Sequence, residues 1–206
     1  MKLYLSSFRL GNDPEQLVEL LSSNKKTAVI ANAVDEATEQ VRKLAVEREL
    51  NDLHSLGLNA KEFDLRDYFG QKEELKKQLN QYGLIWIRGG NTFVLRRAMY
   101  ESGFDEVLKG KMTDKDFVYA GYSAAICVLA PTLKGLEFVD DPHIVPFGYQ
   151  PEIIWDGLGL LTYSIAPHYR SDHPESPAVE KLVQYFTQHK IPFKPLHDGE
   201  VIIEMR

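Results

Sequence analysis

The chain has 206 residues, 44% of them hydrophobic, enough for one well-filled core, and this predicts a single domain over residues 1–206. Acidic side chains outnumber basic ones by 30 to 24, and the net charge of −6 opposes a phosphate backbone, which removes nucleic acid from the expected partners. A single cysteine, Cys127, excludes an intrachain disulfide framework, and no CxxC or clustered Cys/His set suggests structural zinc.

In chain order, the opening MKLYLSSFRLGND has too short an apolar start for a signal peptide, and no later apolar stretch is long enough to span a bilayer. The cytoplasm is the expected location, with no membrane partner. Strand-like runs follow at KLYLSS, TAVIANAV, AKEFDL, LIWIRG, FVYAGY, LTYSIAP and VIIEM, several of them continuously apolar, as a sheet covered on both faces requires. Helical patterns alternate with them: PEQLVELLSS, EATEQVRKLAVERELNDLHSLG, KEELKKQLNQYG, NTFVLRRAMYESG and ESPAVEKLVQYFTQH. In the long second helix, Ala37, Val41, Leu44, Ala45, Leu53 and Leu56 form the expected buried stripe, and Gly57 supplies the stop. Pro131 to Pro151 reads as a long ordered loop.

This alternation predicts an α/β fold, a mostly parallel sheet with helices on both faces in three α/β/α layers. Ligands in such folds bind at the carboxyl ends of the strands, so the segments after LIWIRG, FVYAGY and LTYSIAP are where chemistry is expected.

The first of these ends reads RGGNTFVL. Gly89 and Gly90 allow close backbone approach and Asn91 suits an N-cap, which fits either a ligand-facing turn or a simple capped one. The second, Gly121-Tyr122-Ser123-Ala124-Ala125, has the small neighbours of a nucleophile elbow, although Ala125 stands where G-x-S-x-G has glycine. A buried serine bonding its own backbone is the alternative. The third is SIAPHYRSDH, in which His168 follows a fixed Pro167 and His173 lies further out. A serine nucleophile needs a base, and His168 is the preferred candidate. The loop LKGLEFVDDPHIVP offers Glu137, Asp140 and Asp141 as orienting acids, in the chain order serine, acid, histidine; Asp140-Asp141-Pro142 also reads as a turn.

GGNTF, GYSA and PHY, in this order and spacing, resemble the peptidase E family of aspartyl dipeptidases and their relatives, including cyanophycinases. The resemblance runs from the first strand to VIIEM. It implies a serine hydrolase on a flavodoxin-like sheet, the one also used by class I glutamine amidotransferase domains. Ser123 would be the nucleophile, His168 the base, and the amides of Gly90 and Ala124 the oxyanion hole. Three departures stand out. The elbow reads GYSAA rather than GxSAG, and the family's Asp after the serine falls here at Glu137 and Phe138, which ranks Glu137 ahead of Asp140 and Asp141. The segment after PHY also lacks the family's aspartate-recognition residues, leaving Arg170 and the Asn91 turn as the substrate-side candidates.

The expected chemistry is acyl transfer through Ser123 on short peptides, with N-terminal Asp as one specificity, and it calls for no metal or organic cofactor. Aromatic residues of the 136–157 loop, including Phe138, Phe147, Tyr149 and Trp155, are placed either over the site or in packing. The resemblance allows a homodimer. A non-catalytic binding or sensing protein on the same scaffold and another serine-dependent amidase are the rival readings; cysteine relatives carry their thiol at the elbow, whereas Cys127 falls later, on a core-facing helix position.

Overall fold

The apolar runs become strands because their side chains can be buried on both faces at once. In the computed structural model, which describes residues 1–205, the strands are β1 (Lys2–Ser6), β2 (Lys26–Ile30), β3 (Asn59–Glu62), β4 (Leu84–Ile87), β5 (Val118–Tyr122), β6 (Ser164–Ala166), β7 (Phe193–Pro195) and β8 (Val201–Met205). Six of them form one sheet in the order β3-β2-β4-β5-β1-β8, parallel except for β8, which runs antiparallel along the edge of β1. Alternate residues sort into two cores. Leu3, Leu5, Ile85, Ile87 and Tyr119 fill one, and Tyr4, Val29, Trp86, Val118 and Ala120 the other.

Helices α1 (Glu15–Glu19) and α2 (Glu39–Ser55) cover the Trp86 face through Leu17 and Leu53. The opposite face is covered by α3 (Lys72–Leu79), α4 (Thr92–Ser102), α5 (Phe104–Gly110) and α6 (Ala124–Cys127), through Leu75, Leu95, Leu108 and Ile126. A smaller cluster joins α7 (Ser176–Gln188) to β6, with Leu182 and Phe186 packed near Phe93, Cys127 and Ala166. The three-layer α/β/α expectation holds. No helix of the described residues is long and apolar enough to cross a membrane.

Two readings of the sequence need correction. LTYSIAP does form a strand, but β8 already occupies the sheet edge beside β1, and β6 pairs instead with β7 in a separate two-stranded ribbon. The expected stripe of α2 is also rotated: Val41 and Leu44 are 56% and 55% exposed, and the buried side is Ala45, Val46, Glu49 and Leu53. Glu49 can take an inward place because its carboxylate is satisfied there. It accepts from Trp86 Nε1 at 2.9 Å, Tyr122 Oη at 2.8 Å and Arg48 Nη2 at 3.0 Å, and Arg88 Nε lies 3.5 Å away.

The 131–159 segment is pinned to the sheet by α4. Arg97 is almost fully buried and donates to the carbonyls of Pro142 (2.8 Å), Ile144 (3.2 Å), Pro151 (3.2 Å) and Glu152 (3.0 Å). Arg97→Met is therefore expected to lower unfolding free energy by about 3 kcal/mol, because it strands several buried carbonyls at once. Urea denaturation checks this; a loss below about 1 kcal/mol would mean the loop is held by other contacts.

Candidate active site

Parallel pairing puts the carboxyl ends of β1, β4 and β5 side by side, with Ser6 opposite Tyr122 and Ile87 opposite Gly121. The residues that follow, Ser7, Gly89-Gly90 and Ser123, therefore share one edge. Strand β8 runs the other way, so its beginning reaches that edge: Val201 pairs with Ser6, and the preceding turn carries Asp198 to the same place.

Ser123 joins β5 to α6 with φ 52° and ψ −114°, a conformation that costs an L-residue on the order of 1–3 kcal/mol. Close packing holds it there. A Cβ on Gly121 would stand 2.3 Å from Ile87 O and 2.7 Å from the Ala125 methyl, so only glycine fits beneath the turn. Ala125 lies inside α6 and is fully buried; the positive φ belongs to Ser123, and position 125 needs only a small side chain. Gly90, at φ 145°, passes so close to Ala33 O that a Cβ would lie 2.4 Å from it. The amides of Gly90 and Ala124 donate to no protein acceptor among the described residues, leaving both available to a ligand.

His168 follows β6 with φ 60° and is 1% exposed. Its amide donates to Ser7 Oγ at 2.9 Å, and that hydroxyl lies 3.0 Å from Asp198 Oδ1. The ring closes the circuit, with Nδ1 2.6 Å from the same carboxylate oxygen. A carboxylate can only accept, so Nδ1 carries the proton and Nε2 keeps its lone pair. Asp198 is fixed in turn by its own amide, which donates to Ser171 Oγ at 2.8 Å. Burial pushes the His168 pKa below the usual histidine value, opposed by the hydrogen bond and charge of Asp198. Phe8 stands edge-on to both His168 and His173, whose rings stack 3.8 Å apart.

Ser123 and His168 line one cavity of about 160 Å³, with Gly90, Arg48, Arg88 and Glu175 among its other walls. No hydrogen bond joins the serine hydroxyl to the imidazole. Among the described residues, the buried Nε atoms of Arg48 and Arg88 make no hydrogen bond, Arg88 Nε standing 3.5 Å from Glu49 as an ion pair only.

The loop acids lie elsewhere, and the carboxylate at His168 is Asp198, not Glu137. Glu137 is exposed and accepts from the Gly135 amide at 2.6 Å. Asp140 accepts from the Thr92 amide at 2.9 Å, and Asp141 closes a turn on the His143 amide at 2.8 Å. The pinning of this loop to α4 keeps all three from the imidazole. Asn91 serves as a cap: its Oδ1 accepts from the Phe93 and Val94 amides and its Nδ2 donates to Asp141 O, so its side chain is committed before any substrate arrives. Arg170 is 66% exposed, pairs with Glu180 at 3.1 Å and does not line the cavity. The loop aromatics pack instead of roofing the site, Trp155 against Phe93 and Phe138 against Tyr185, while Phe147 is exposed.

Asp140 carries a testable cost. Burial pushes its pKa up to about 6, so its charged form opposes folding at neutral pH; the stability linked to its protonated form is present below pH ~4 and lost as pH rises through about 6. Asp140→Asn keeps an acceptor for the Thr92 amide. It is expected to stabilise the chain at pH 7 by about 1–2 kcal/mol, discounted because the residue is only half-buried, with the gain vanishing near pH 4 in paired thermal unfolding runs.

The model for Peptidase family S51 matches residues 11–204. The chain belongs to that family, in its peptidase E group. A "Probable alpha-aspartyl dipeptidase" of Drosophila melanogaster is 27% identical over 133 residues, which cover 62% of this chain and 52% of the relative. Peptidase E of Streptomyces coelicolor is 28% identical over 127 residues, covering 59% and 49%. The chain thus spans about half the length of these curated relatives. Among solved structures, a candidate peptidase E of Listeria monocytogenes EGD-e shares the fold with a TM-score of 0.75 at 23% identity, over 100% of this chain and 98% of that one.

For this peptidase E family chain, sequence reasoning missed Ser7, Asp198, Arg48 and Arg88. Asp198-Gly199 reads locally as a turn before the last strand, and only the antiparallel direction of β8 makes that turn part of the site. Arg48 lies outside the buried stripe expected for the second helix, and Arg88 falls within the LIWIRG run read as a strand. A signal for Asp198 was available in one respect: it is an acid in a glycine turn at the mouth of a strand.

Proposed function

We propose that the chain is a serine-type peptidase that cleaves short peptides through an acyl-enzyme on Ser123. The observation that carries this reading is the 2.6 Å contact of His168 Nδ1 with Asp198 beside an elbow serine at φ 52°. In this reading His168 Nε2 takes the Ser123 proton as the hydroxyl attacks the peptide carbonyl, then returns it to the leaving amine. Asp198 holds the ring in the required tautomer and stabilises the imidazolium. The Gly90 and Ala124 amides receive the developing oxyanion, each worth roughly 3 kcal/mol. Water then releases the acyl group. The gap between hydroxyl and imidazole fits a free enzyme whose catalytic hydrogen bond tightens when substrate enters.

The size and charge of the cavity favour a short, acidic substrate. About 160 Å³ has room for roughly one residue next to the scissile bond, well below the ~300–1,000 Å³ of sites built for drug-sized ligands. Two guanidiniums with unused donors suit a carboxylate on that residue, in the sense of the dipeptidase relative's description. The missing hydroxyl–imidazole bond also favours a second reading, a binding protein that keeps the elbow without turnover.

A serine-directed phosphonate read by intact mass separates the two: one adduct on Ser123 supports the peptidase, and none under conditions that label a control hydrolase supports the binding protein. A dipeptide panel then tests the arginines. Arg48→Ala and Arg88→Ala are each expected to cut kcat/KM for Asp-initiated dipeptides about 10- to 100-fold, with little change for neutral ones. Equal rates for acidic and neutral dipeptides in the unaltered protein would remove the acidic preference.

A further inference from the structure

We propose that Glu49 is the positioning residue of a carboxylate subsite: from behind the cavity wall its buried carboxylate holds Arg48 and Arg88 together, so that both guanidiniums meet one acidic group of the substrate. It rests on the reading above that these arginines take such a group. Arg48, Arg88, Tyr122 and Ser123 line the cavity, whereas Glu49 does not and is 1% exposed, so it acts through the arginines. Its two oxygens have different partners. Oε2 accepts from Trp86 Nε1 at 2.9 Å, inside the core, which fixes the carboxylate plane. Oε1 is left to the site, accepting from Tyr122 Oη at 2.8 Å and Arg48 Nη2 at 3.0 Å, with Arg88 Nε 3.5 Å away.

The helix explains why a tether is needed. Arg48 and Glu49 are neighbours on α2, and adjacent helical side chains leave the axis about 100° apart, so Arg48 does not face the cavity by helix geometry alone. Its Nη2 is held there twice, by Glu49 and, at 3.1 Å, by Tyr122 Oη. Arg88 follows β4, and its Nη1 donates to Gly89 O, beside the Gly90 amide of the proposed oxyanion pair. A long side chain ordered before substrate arrives spares the binding step that entropy cost. The charges agree: the two guanidiniums and the Glu49 carboxylate leave one positive charge over, which one substrate carboxylate neutralises. Glu175, another carboxylate lining the cavity, lies by the histidine, 3.9 Å from His168 Nε2.

Steady-state kinetics of the full chain on one Asp-initiated and one neutral dipeptide tests the role. Glu49→Gln, first shown to be folded by its melting curve, keeps the volume but puts a donor among donors. It is expected to raise KM for the Asp-initiated dipeptide roughly tenfold with kcat within about threefold, and to leave KM for the neutral one within about twofold. In an Arg48→Ala background the same change should cost less than about threefold, because one of the side chains it orders is gone. Equal losses on both dipeptides mark a merely structural role and overturn the proposal, as does an unchanged KM for the acidic one. If Glu49→Gln does not fold, Tyr122→Phe, which removes a bond to both Glu49 and Arg48, is read the same way, with about a threefold loss expected on the acidic substrate alone. Arg48→Ala and Arg88→Ala without effect on the acidic dipeptide overturn the arginine reading and the role of Glu49 with it; an effect there with none from Glu49→Gln overturns Glu49 alone. If neither dipeptide is cleaved, the peptidase reading fails, and isothermal titration with the same two dipeptides decides the role of Glu49 by the same ratios.

Discussion

Ser123→Ala is expected to lower kcat/KM on short peptides by roughly 10⁴- to 10⁶-fold, the scale on which serine hydrolases lose activity when their nucleophile is removed. The change deletes one oxygen that makes no hydrogen bond among the described residues, and alanine meets the same φ of 52°, so stability should stay within about 0.5 kcal/mol. Peptide hydrolysis, phosphonate adduct mass and a thermal melt together give the answer. A variant that keeps a tenth of the activity would show that the elbow serine is a structural feature and move the search for the nucleophile elsewhere.

The second large effect separates two acids. Asp198→Asn is expected to reduce kcat about 10³- to 10⁴-fold, because an amide in that place can hold the imidazole in the wrong tautomer and cannot stabilise its charge. Glu137→Ala should leave kcat within about twofold, since its carboxylate bonds only the Gly135 amide among the described residues. The pH profile adds an independent readout. Burial holds the His168 pKa below its ordinary value of about 6.5, so kcat/KM should fall on an acidic limb lying below that pH. Asp198 raises that pKa against the burial, so its replacement should move the limb further towards acid. The stability linked to His168 follows the same sign: the unfolded chain takes up its proton first, so the contribution is present above pH ~6.5 and lost as pH falls through the folded value. Full activity in Asp198→Asn, or collapse in Glu137→Ala, would reverse the assignment.

How much of the site was legible differed residue by residue. Gly90, Ser123, Ala124 and His168 each sit directly after an apolar strand, and a fold that gathers strand ends puts such residues together. The question raised by Ala125 closes the same way: the strained backbone is at Ser123, and the neighbouring helix position asks only for a small group against Gly121. Glu137 ranked first because the family's aspartate position after the serine falls there, but neither that position nor chain order carries information about which loop α4 pins down. Arg97 and the Thr92 amide anchor that loop away from the imidazole.

By itself the sequence determined the alternation of strands and helices, the elbow, the glycine turn beside it and the histidine after Pro167, because each is written in local periodicity and backbone preference. Tertiary structure alone decided which charges meet. The antiparallel run of β8 carries Asp198 back to the carboxyl edge of the sheet. The rotation of α2 turns Glu49 inward, and Arg48 and Arg88 gather around it at the cavity. These are contacts between residues 30 to 70 or more positions apart, set by strand direction and helix rotation, and neither quantity is encoded in any short stretch of the chain.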